Sequence, residues 1–150
     1  MTMDETIDFI AALDGVLTLR PGPGDGTPEA GWGDAFFYYA PDGTLPATAQ
    51  PFATVVTKDH PDDTASRLDR PGAFRVNIAA GKAELARCAP DTDPSSPADD
   101  TLIAHPVYGA AGWLAVTNPA ERTAAATREL LSTAHRLART RHERREAARR

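Results

Sequence analysis

The sequence predicts an α+β fold, with a mostly antiparallel sheet of about five strands packed against a long C-terminal helix and a short N-terminal helix. Residues 118–150 carry apolar side chains at intervals of three and four, which is typical of an amphipathic helix. Short β-branched and aromatic runs precede that segment, separated by turn-forming residues. A chain of 150 residues suffices for one hydrophobic core, so residues 1–150 are predicted to form a single domain.

Composition and charge narrow the class of protein. Hydrophobic residues make up 41% of the chain and charged residues 25%, as in ordinary globular proteins. Every apolar run is shorter than the roughly 20 residues that cross a bilayer. Met1 to Leu13 is acidic where a signal peptide is basic, so we expect a cytoplasmic protein without a membrane span. Cys88 is the only cysteine, which excludes an internal disulfide and a multi-thiolate metal site.

The first half of the chain predicts one helix and most of the sheet. Thr2 and Glu5 have the spacing of a capping box, and the helix that they open is predicted to end at Asp14-Gly15. The elements predicted after it are strands at 16–19, 35–39, 51–57 and 73–78, a Pro/Gly-rich loop at 21–28, a turn at 41–43 and a polar loop at 58–63.

The second half predicts a short helix, a last strand and the long helix. The short helix spans 81–87, and the last strand spans 113–116. Residues 89–100 are nearly all Pro, Asp, Ser and Ala, which predicts a flexible loop. The long helix is predicted to begin at Asn118 as the N-cap, with Pro119 in the first turn and Glu121 completing a capping box.

The end of the long helix is the basic part of an acidic protein. Residues 139–150, predicted to form a basic helical tail, hold six arginines and two glutamates and so carry +4, which leaves −9 on residues 1–138 of the total −5. The acidic part repels phosphate backbones, so we do not expect a nucleic-acid partner, and weak association through this tail is the alternative. Complementing the helix dipole and solubilising the helix end is the simpler role for these arginines.

Three common signatures are excluded by their spacing. The glycines between Gly22 and Gly26 lack the dinucleotide-binding pattern, and Val76 to Ala83 lacks the first glycine and the final Ser/Thr of a phosphate-binding loop. The chain contains no serine in a G-x-S-x-G motif, and Cys88 has no neighbouring histidine. We therefore expect no cofactor and no metal.

Polar loop residues and an aromatic strand provide the candidate site. His60 and His105 each precede a proline, and Asp59 adjoins His60. If the loops meet, these side chains can hold a divalent metal, or one histidine can act as a general base. The alternative is that both histidines form turns and are solvated. In the strand 35–39, alternate aromatic side chains face opposite ways, so one pair packs on the first helix or lines a concavity. The candidate pocket residues are Trp32, Asp34, Phe37, Tyr39, Asp59, His60, Arg75, Asn77, His105, Tyr108 and Trp113.

Two hypotheses for function follow from these residues. The first is a non-catalytic module that binds an unknown small molecule or protein between the sheet face and the polar loops. The second is a small, hydrolase-like enzyme that uses the loop His and Asp residues.

Several short runs also carry a resemblance to known proteins. They are Gly15-Val16-Leu17, Trp32-Gly33-Asp34, Phe36-Phe37-Tyr38, Pro51-Phe52-Ala53-Thr54, Thr57-Lys58-Asp59, Leu68-Asp69-Arg70-Pro71-Gly72, Phe74-Arg75-Val76-Asn77, His105-Pro106-Val107-Tyr108-Gly109 and Gly112-Trp113. Together they resemble a family of small actinobacterial proteins of unknown function over most of the chain. More distantly, the Trp-Gly strand, the Gly-Trp strand and the closing helix are similar to the MmcQ/YjbR proteins. That second resemblance implies a compact α+β fold of the kind called a double-wing DNA-binding fold.

Overall fold

The computed structural model describes residues 1–45, 47–89 and 98–149. Within them, six strands form one sheet, and the α+β prediction is confirmed. The five predicted strands are present, and the sixth, of only three residues, is too short to give a clear alternating pattern. The elements are α1 (Met3–Ala11), β1 (Val16–Leu19), β2 (Ala35–Tyr39), β3 (Ala53–Val56), β4 (Arg75–Ile78), α2 (Lys82–Cys88), β5 (Leu102–Ala104), β6 (Leu114–Thr117) and α3 (Ala124–Ala148), with 3-10 turns at Glu29–Gly31 and Gly109–Ala111.

The sheet is antiparallel throughout, with strand order β1-β2-β3-β4-β6-β5. Side chains alternate between its two faces, and the register aligns apolar residues across the strands. Phe37 lies opposite Ala53, and Val76 lies between Val55 and Val116. These side chains form one apolar face of the sheet.

Helices α1 and α3 both pack on that apolar face. Ile10 of α1 and Leu130 and Leu131 of α3 belong to the same hydrophobic cluster as Phe37 and Val76, and each is at most 1% exposed. Burial of a side chain of this size contributes about 1.5–3 kcal/mol. The apolar stripe predicted for the C-terminal helix therefore holds the helix layer to the sheet.

The opposite face of the sheet is partly polar. The register places Thr54 between Phe36 and Asn77, and Val56 opposite Arg75. Two connecting segments, 57–72 and 105–113, contribute side chains that bond or pack against this face. The candidate site lies between the sheet and these segments.

The start of the C-terminal helix differs from the prediction. Helix α3 begins at Ala124, and Asn118 lies well before its N-cap position. Asn118 has a φ of 48°, donates its backbone N–H to Phe74 O at 2.9 Å and accepts the Phe74 N–H on Oδ1 at 3.1 Å. The predicted N-cap was wrong because this side chain is bonded to the chain entering β4.

The carboxylate of Asp100 takes over the capping role from outside the helix. Its Oδ1 accepts the backbone N–H groups of Ala120 at 2.8 Å and Thr123 at 3.0 Å, and its Oδ2 accepts that of Arg122 at 3.0 Å. The hydrogen bond from the Thr123 hydroxyl, with these three amides, lowers the pKa of Asp100 to about 2. The carboxylate thus binds three amides at the helix entry, of which that of Thr123 also donates to Ala120 O at 3.2 Å.

We expect Asp100→Ala to lower the free energy of unfolding by an amount typical of a lost helix cap, because the amides of Ala120 and Arg122 lose their acceptor and that of Thr123 keeps only Ala120 O. The control is Glu121→Ala, which removes the carboxylate of the capping box expected from sequence and should have a small effect. Urea denaturation of both variants measures the difference. A larger loss for Glu121→Ala than for Asp100→Ala would contradict this account.

Residues 90–97 of the flexible loop predicted at 89–100 lie outside the described residues, while Asp99 at its end bonds to Arg70 at 3.1 Å. The last helix runs through the predicted basic tail as far as Ala148. In the described ranges, every helix is too short or too polar to cross a membrane.

Candidate functional site

A cavity of about 480 Å³ opens on the sheet face opposite the helices. Residues from β2, β3 and β4 line its floor, and the segments 50–51, 60–63 and 105–113 line its walls. The lining residues are Phe36, Gln50, Pro51, Thr54, Val56, His60, Asp62, Asp63, Arg75, Asn77, His105, Val107, Tyr108 and Trp113.

A buried guanidinium forms the centre of the floor. Arg75 is 1% exposed and donates Nε–H to Asn77 Oδ1 at 2.8 Å. Its Nη1 donates to Asp63 Oδ1 at 2.9 Å and to Ser66 Oγ at 3.0 Å, and its Nη2 donates to Asp63 Oδ2. Asn77 in turn donates Nδ2–H to Thr54 Oγ1 at 2.9 Å. We call these five residues the floor network.

The Arg75–Asp63 pair balances the charge of this network. The bidentate geometry joins both carboxylate oxygens to the two terminal nitrogens of the guanidinium. Burial alone raises the pKa of Asp63, but the hydrogen bonds and the charge of Arg75 outweigh burial and hold that pKa below its ordinary value. Asp63 therefore remains ionised beside Arg75 at neutral pH, and the pair is neutral as a unit.

His105 joins the floor network to the cavity wall. It is 5% exposed, and its Nε2 lies 3.2 Å from Arg75 Nη2 and 4.0 Å from Asp63 Oδ2. Its Nδ1 accepts the backbone N–H groups of Val107 and Tyr108, each at 3.0 Å. Burial first, and then the charge of Arg75, lower the pKa of His105 to about 4, although Asp63 acts in the opposite direction. The imidazole is neutral at physiological pH.

The turn after His105 is held in place by a close approach of two backbones. Gly112 has a φ of +91°, and a Cβ on it would lie 2.9 Å from Lys82 N. Its carbonyl accepts the Gly81 N–H at 3.0 Å. Glycine is therefore needed where the segment 105–113 rests on the start of α2.

His60 lies on the other side of the cavity and is more exposed. Its backbone pairs with that of Asp63, whose N–H donates to His60 O at 2.9 Å. Its Nε2 lies 4.0 Å from Asp34 Oδ2, and its side chain is 38% exposed. That distance is longer than a hydrogen bond, so Asp34 does not fix the orientation of this imidazole.

The structure brings six of the eleven candidate residues together in the cavity lining. They are His60, Arg75, Asn77, His105, Tyr108 and Trp113. Phe37 lies instead in the core beneath the helices, and the ring of Tyr39 packs edge-on against His135 and His142 of α3. Both face the helix layer because they share one side of β2.

The remaining three candidate residues stabilise the segment beside the cavity. Asp34 is buried and accepts the backbone N–H of Thr57 at 2.9 Å. Asp59 accepts the N–H of Leu68 at 2.8 Å, and Trp32 donates Nε1–H to Thr27 O at 3.2 Å. Their polar groups hold loops in position and do not line the cavity.

The selection from sequence omitted several lining residues. Phe36 and Thr54 could have been predicted from the sequence. Strand alternation places both on the same face as Arg75 once one cross-strand pair is known. Asp63 carried a weaker signal as one of several acidic residues in its loop. Only the folded structure, in which the segment 57–72 lies against β4, shows that this carboxylate meets Arg75.

The cavity side chains do not form a metal centre. Within the described residues, no group of three or more His, Cys, Asp or Glu side chains converges as metal ligands would. Asp63 is already bound to Arg75, and His105 Nδ1 is bound to two amides. These groups are engaged with the protein itself.

The comparisons with known proteins place the chain in a family. The family described as "Family of unknown function (DUF6194)" matches residues 1–147. Comparison with curated proteins gave no match, and comparison with solved structures gave none either. The expected resemblance to a family of unknown function over most of the chain is confirmed.

Proposed function

We propose that this chain, which belongs to the DUF6194 family, is a non-catalytic domain that binds a small molecule in the cavity beside Arg75 and His105. The observation that carries the proposal is the combination of a cavity of about 480 Å³ with a buried, fixed polar floor. Small-molecule sites in proteins have this character, with volumes of about 300–1,000 Å³ and few, well-placed polar groups among apolar walls.

The walls of the cavity supply most of the contact surface. Pro51 and Trp113 line the walls, Phe36 and Val56 add apolar surface beside the polar floor, and 58% of the surface of the wall residue Tyr108 is exposed. Aromatic and aliphatic walls favour a ligand with apolar surface to bury. The fixed floor then selects among such ligands by hydrogen bonding.

Binding is favoured over catalysis because most polar groups of the floor bond to one another. His105 is a poor general base, since its pKa is about 4 and its Nδ1 already accepts two amides. One observation supports the hydrolase-like alternative: His60 and His105 line the same cavity as Asp63. Hydrolysis of nitrophenyl esters by the wild type, lost in His60→Gln, would support catalysis.

The proposal predicts that a small aromatic compound such as indole stabilises the protein. At a concentration tenfold above its Kd, indole raises the free energy of unfolding by about 1.4 kcal/mol. Thermal unfolding with and without indole measures this effect. Val107→Trp, at a lining residue that is 41% exposed, should weaken the effect by filling the opening of the cavity.

The matched control is Leu19→Trp, which adds the same side chain to β1 at a residue that is 38% exposed and outside the cavity lining. It should leave the stabilisation by indole unchanged. The proposal fails if indole and a wider set of small aromatic metabolites do not shift the unfolding midpoint. It also fails if both tryptophan variants lose the effect equally.

The family match does not test the other predictions made from the sequence. An actinobacterial origin, a likeness to the MmcQ/YjbR proteins and a cytoplasmic location stay predictions. So does a partner for the basic tail at residues 139–150.

A further inference from the structure

Both ring nitrogens of His105 face hydrogen-bond donors, so both would have to act as acceptors. Nδ1 faces the N–H groups of Val107 and Tyr108 at 3.0 Å each, and Nε2 faces Arg75 Nη2 at 3.2 Å. A guanidinium is always a donor, and a neutral imidazole has only one acceptor nitrogen. One side of the ring therefore carries a hydrogen that points at another donor.

The number of unpaired hydrogen-bond donors decides which ring nitrogen of His105 carries the hydrogen. A hydrogen on Nδ1 would leave three donors without acceptors, namely Nδ1–H and the two amides. A hydrogen on Nε2 leaves two, Nε2–H and one Nη2–H of Arg75, since the other Nη2–H is bound to Asp63. Each unpaired donor costs about 1–3 kcal/mol, so the ring carries its hydrogen on Nε2.

That tautomer leaves two adjacent donors at the floor of the cavity. His105 Nε2 and Arg75 Nη2 are 3.2 Å apart, and both residues line the cavity. A single oxygen with two lone pairs can accept from both. Among the described residues, no side chain supplies an acceptor to these two donors.

We propose that the ligand of this cavity places a neutral carbonyl oxygen beside His105 Nε2 and Arg75 Nη2, on the cavity side of the line that joins them and within hydrogen-bond distance of both. This inference rests on the proposed function and names the chemical class of its ligand. The class is a neutral molecule with a flat ring and a carbonyl group attached to it or within it, as in an aryl carboxamide or a cyclic amide.

The charges around the cavity favour a neutral oxygen over a carboxylate. The charge of Arg75 is already paired with Asp63, and Asp62 also lines the cavity. A carboxylate ligand would bring a third anion beside two acidic side chains and one cation. A cationic ligand would suit the acidic side chains but would present donors to the two unpaired donors of the floor.

The aromatic walls favour a flat ring on that carbonyl. The ring centroids of His105 and Tyr108 are 5.1 Å apart, and those of His105 and Trp113 are 6.5 Å apart. Phe36 lines the same cavity. Rings at this spacing offer stacking and edge contacts to a planar ligand.

The tautomer is tested directly on the wild-type protein. Nitrogen NMR of the histidine side chains distinguishes a protonated ring nitrogen from an unprotonated one. We expect His105 to show an unprotonated Nδ1 and a protonated Nε2 at neutral pH. A protonated Nδ1 overturns the inference, whether or not a ligand is known.

The ligand class is tested with four probes of similar shape: toluene, benzamide, benzoate and benzamidinium. We expect benzamide to bind about tenfold more tightly than toluene, because it adds a hydrogen-bond acceptor at the floor. Benzoate and benzamidinium should both bind more weakly than benzamide. NMR titration of each probe gives the four dissociation constants.

The matched variant is His105→Asn. Asparagine Oδ1 replaces Nδ1 as the acceptor for the Val107 and Tyr108 amides, which preserves the turn, but no group replaces Nε2. The preference for benzamide over toluene should fall to about twofold or less. If toluene binds and benzamide has no advantage, the inference fails while the proposed function stands. If no probe binds, both fail.

Discussion

Replacing Arg75 with methionine is expected to lower the free energy of unfolding by about 3–5 kcal/mol, the cost of removing one partner from a buried ion pair. The side chain of Arg75 is 2% exposed and that of Asp63 is 12% exposed, so water replaces little of the lost interaction. Ser66 and Asn77 lose their partner as well. Urea denaturation measures the change.

The control for Arg75→Met is the double variant Arg75→Met/Asp63→Leu. It removes both charges, so no carboxylate remains unpaired in the floor of the cavity. We expect it to recover part of the lost stability, because apolar pairs often replace buried ion pairs at little cost. A double variant that is less stable than Arg75→Met would show that the pair is not the reason for the loss.

Lowering the pH from 6.5 to 4 is expected to cost on the order of 3 kcal/mol of stability through His105 alone. Its pKa is about 4 in the folded protein, against an ordinary 6.5. In this interval the unfolded chain binds a proton at His105 and the folded protein does not, so acidification favours unfolding. Above about pH 7.5 both states are neutral at this residue and the effect is absent.

The matched variant for the pH effect is again His105→Asn, which keeps the turn after residue 105 but cannot titrate. The difference in unfolding free energy between wild type and variant should change most between pH 6.5 and 4 and be constant above about pH 7.5. Acidic groups of lowered pKa, such as Asp63, begin to lose their contribution near pH 5, but both proteins contain them, so this loss falls on both. Equal pH slopes in the two proteins would contradict the burial of a neutral His105.

Local sequence patterns predicted the fold where one segment decides its own structure. The capping box of Thr2 and Glu5 is present at the start of α1. The alternation from Phe74 to Ile78 correctly placed Arg75 and Asn77 on one face of β4. The start of α3 was mispredicted because its capping carboxylate, Asp100, lies 20 residues before Ala120 in the chain.

The candidate site was predicted only in part, because the pattern of one strand does not say which face the helices cover. Phe36 and Phe37 face opposite ways, as predicted. Phe37, which was predicted to line the pocket, lies in the core beneath the helices, whereas Phe36 lines the cavity. His60 and His105 were selected from their polar loops and do reach the same cavity. His60 pairs with Asp63 inside one turn, but the approach of His105 to that carboxylate depends on how the segments 57–72 and 105–113 fold over the sheet, which no single segment encodes.

Mapping benzamide onto the protein through backbone amide NMR shifts shows whether a ligand binds on the sheet face opposite the helices. We expect the shifts to concentrate at Thr54, Asn77, Val107 and Tyr108, which line the cavity, with little change along α3. Shifts confined to the shallow groove between α2 and α3, or no shifts at cavity residues when benzamide is in large excess, would contradict it.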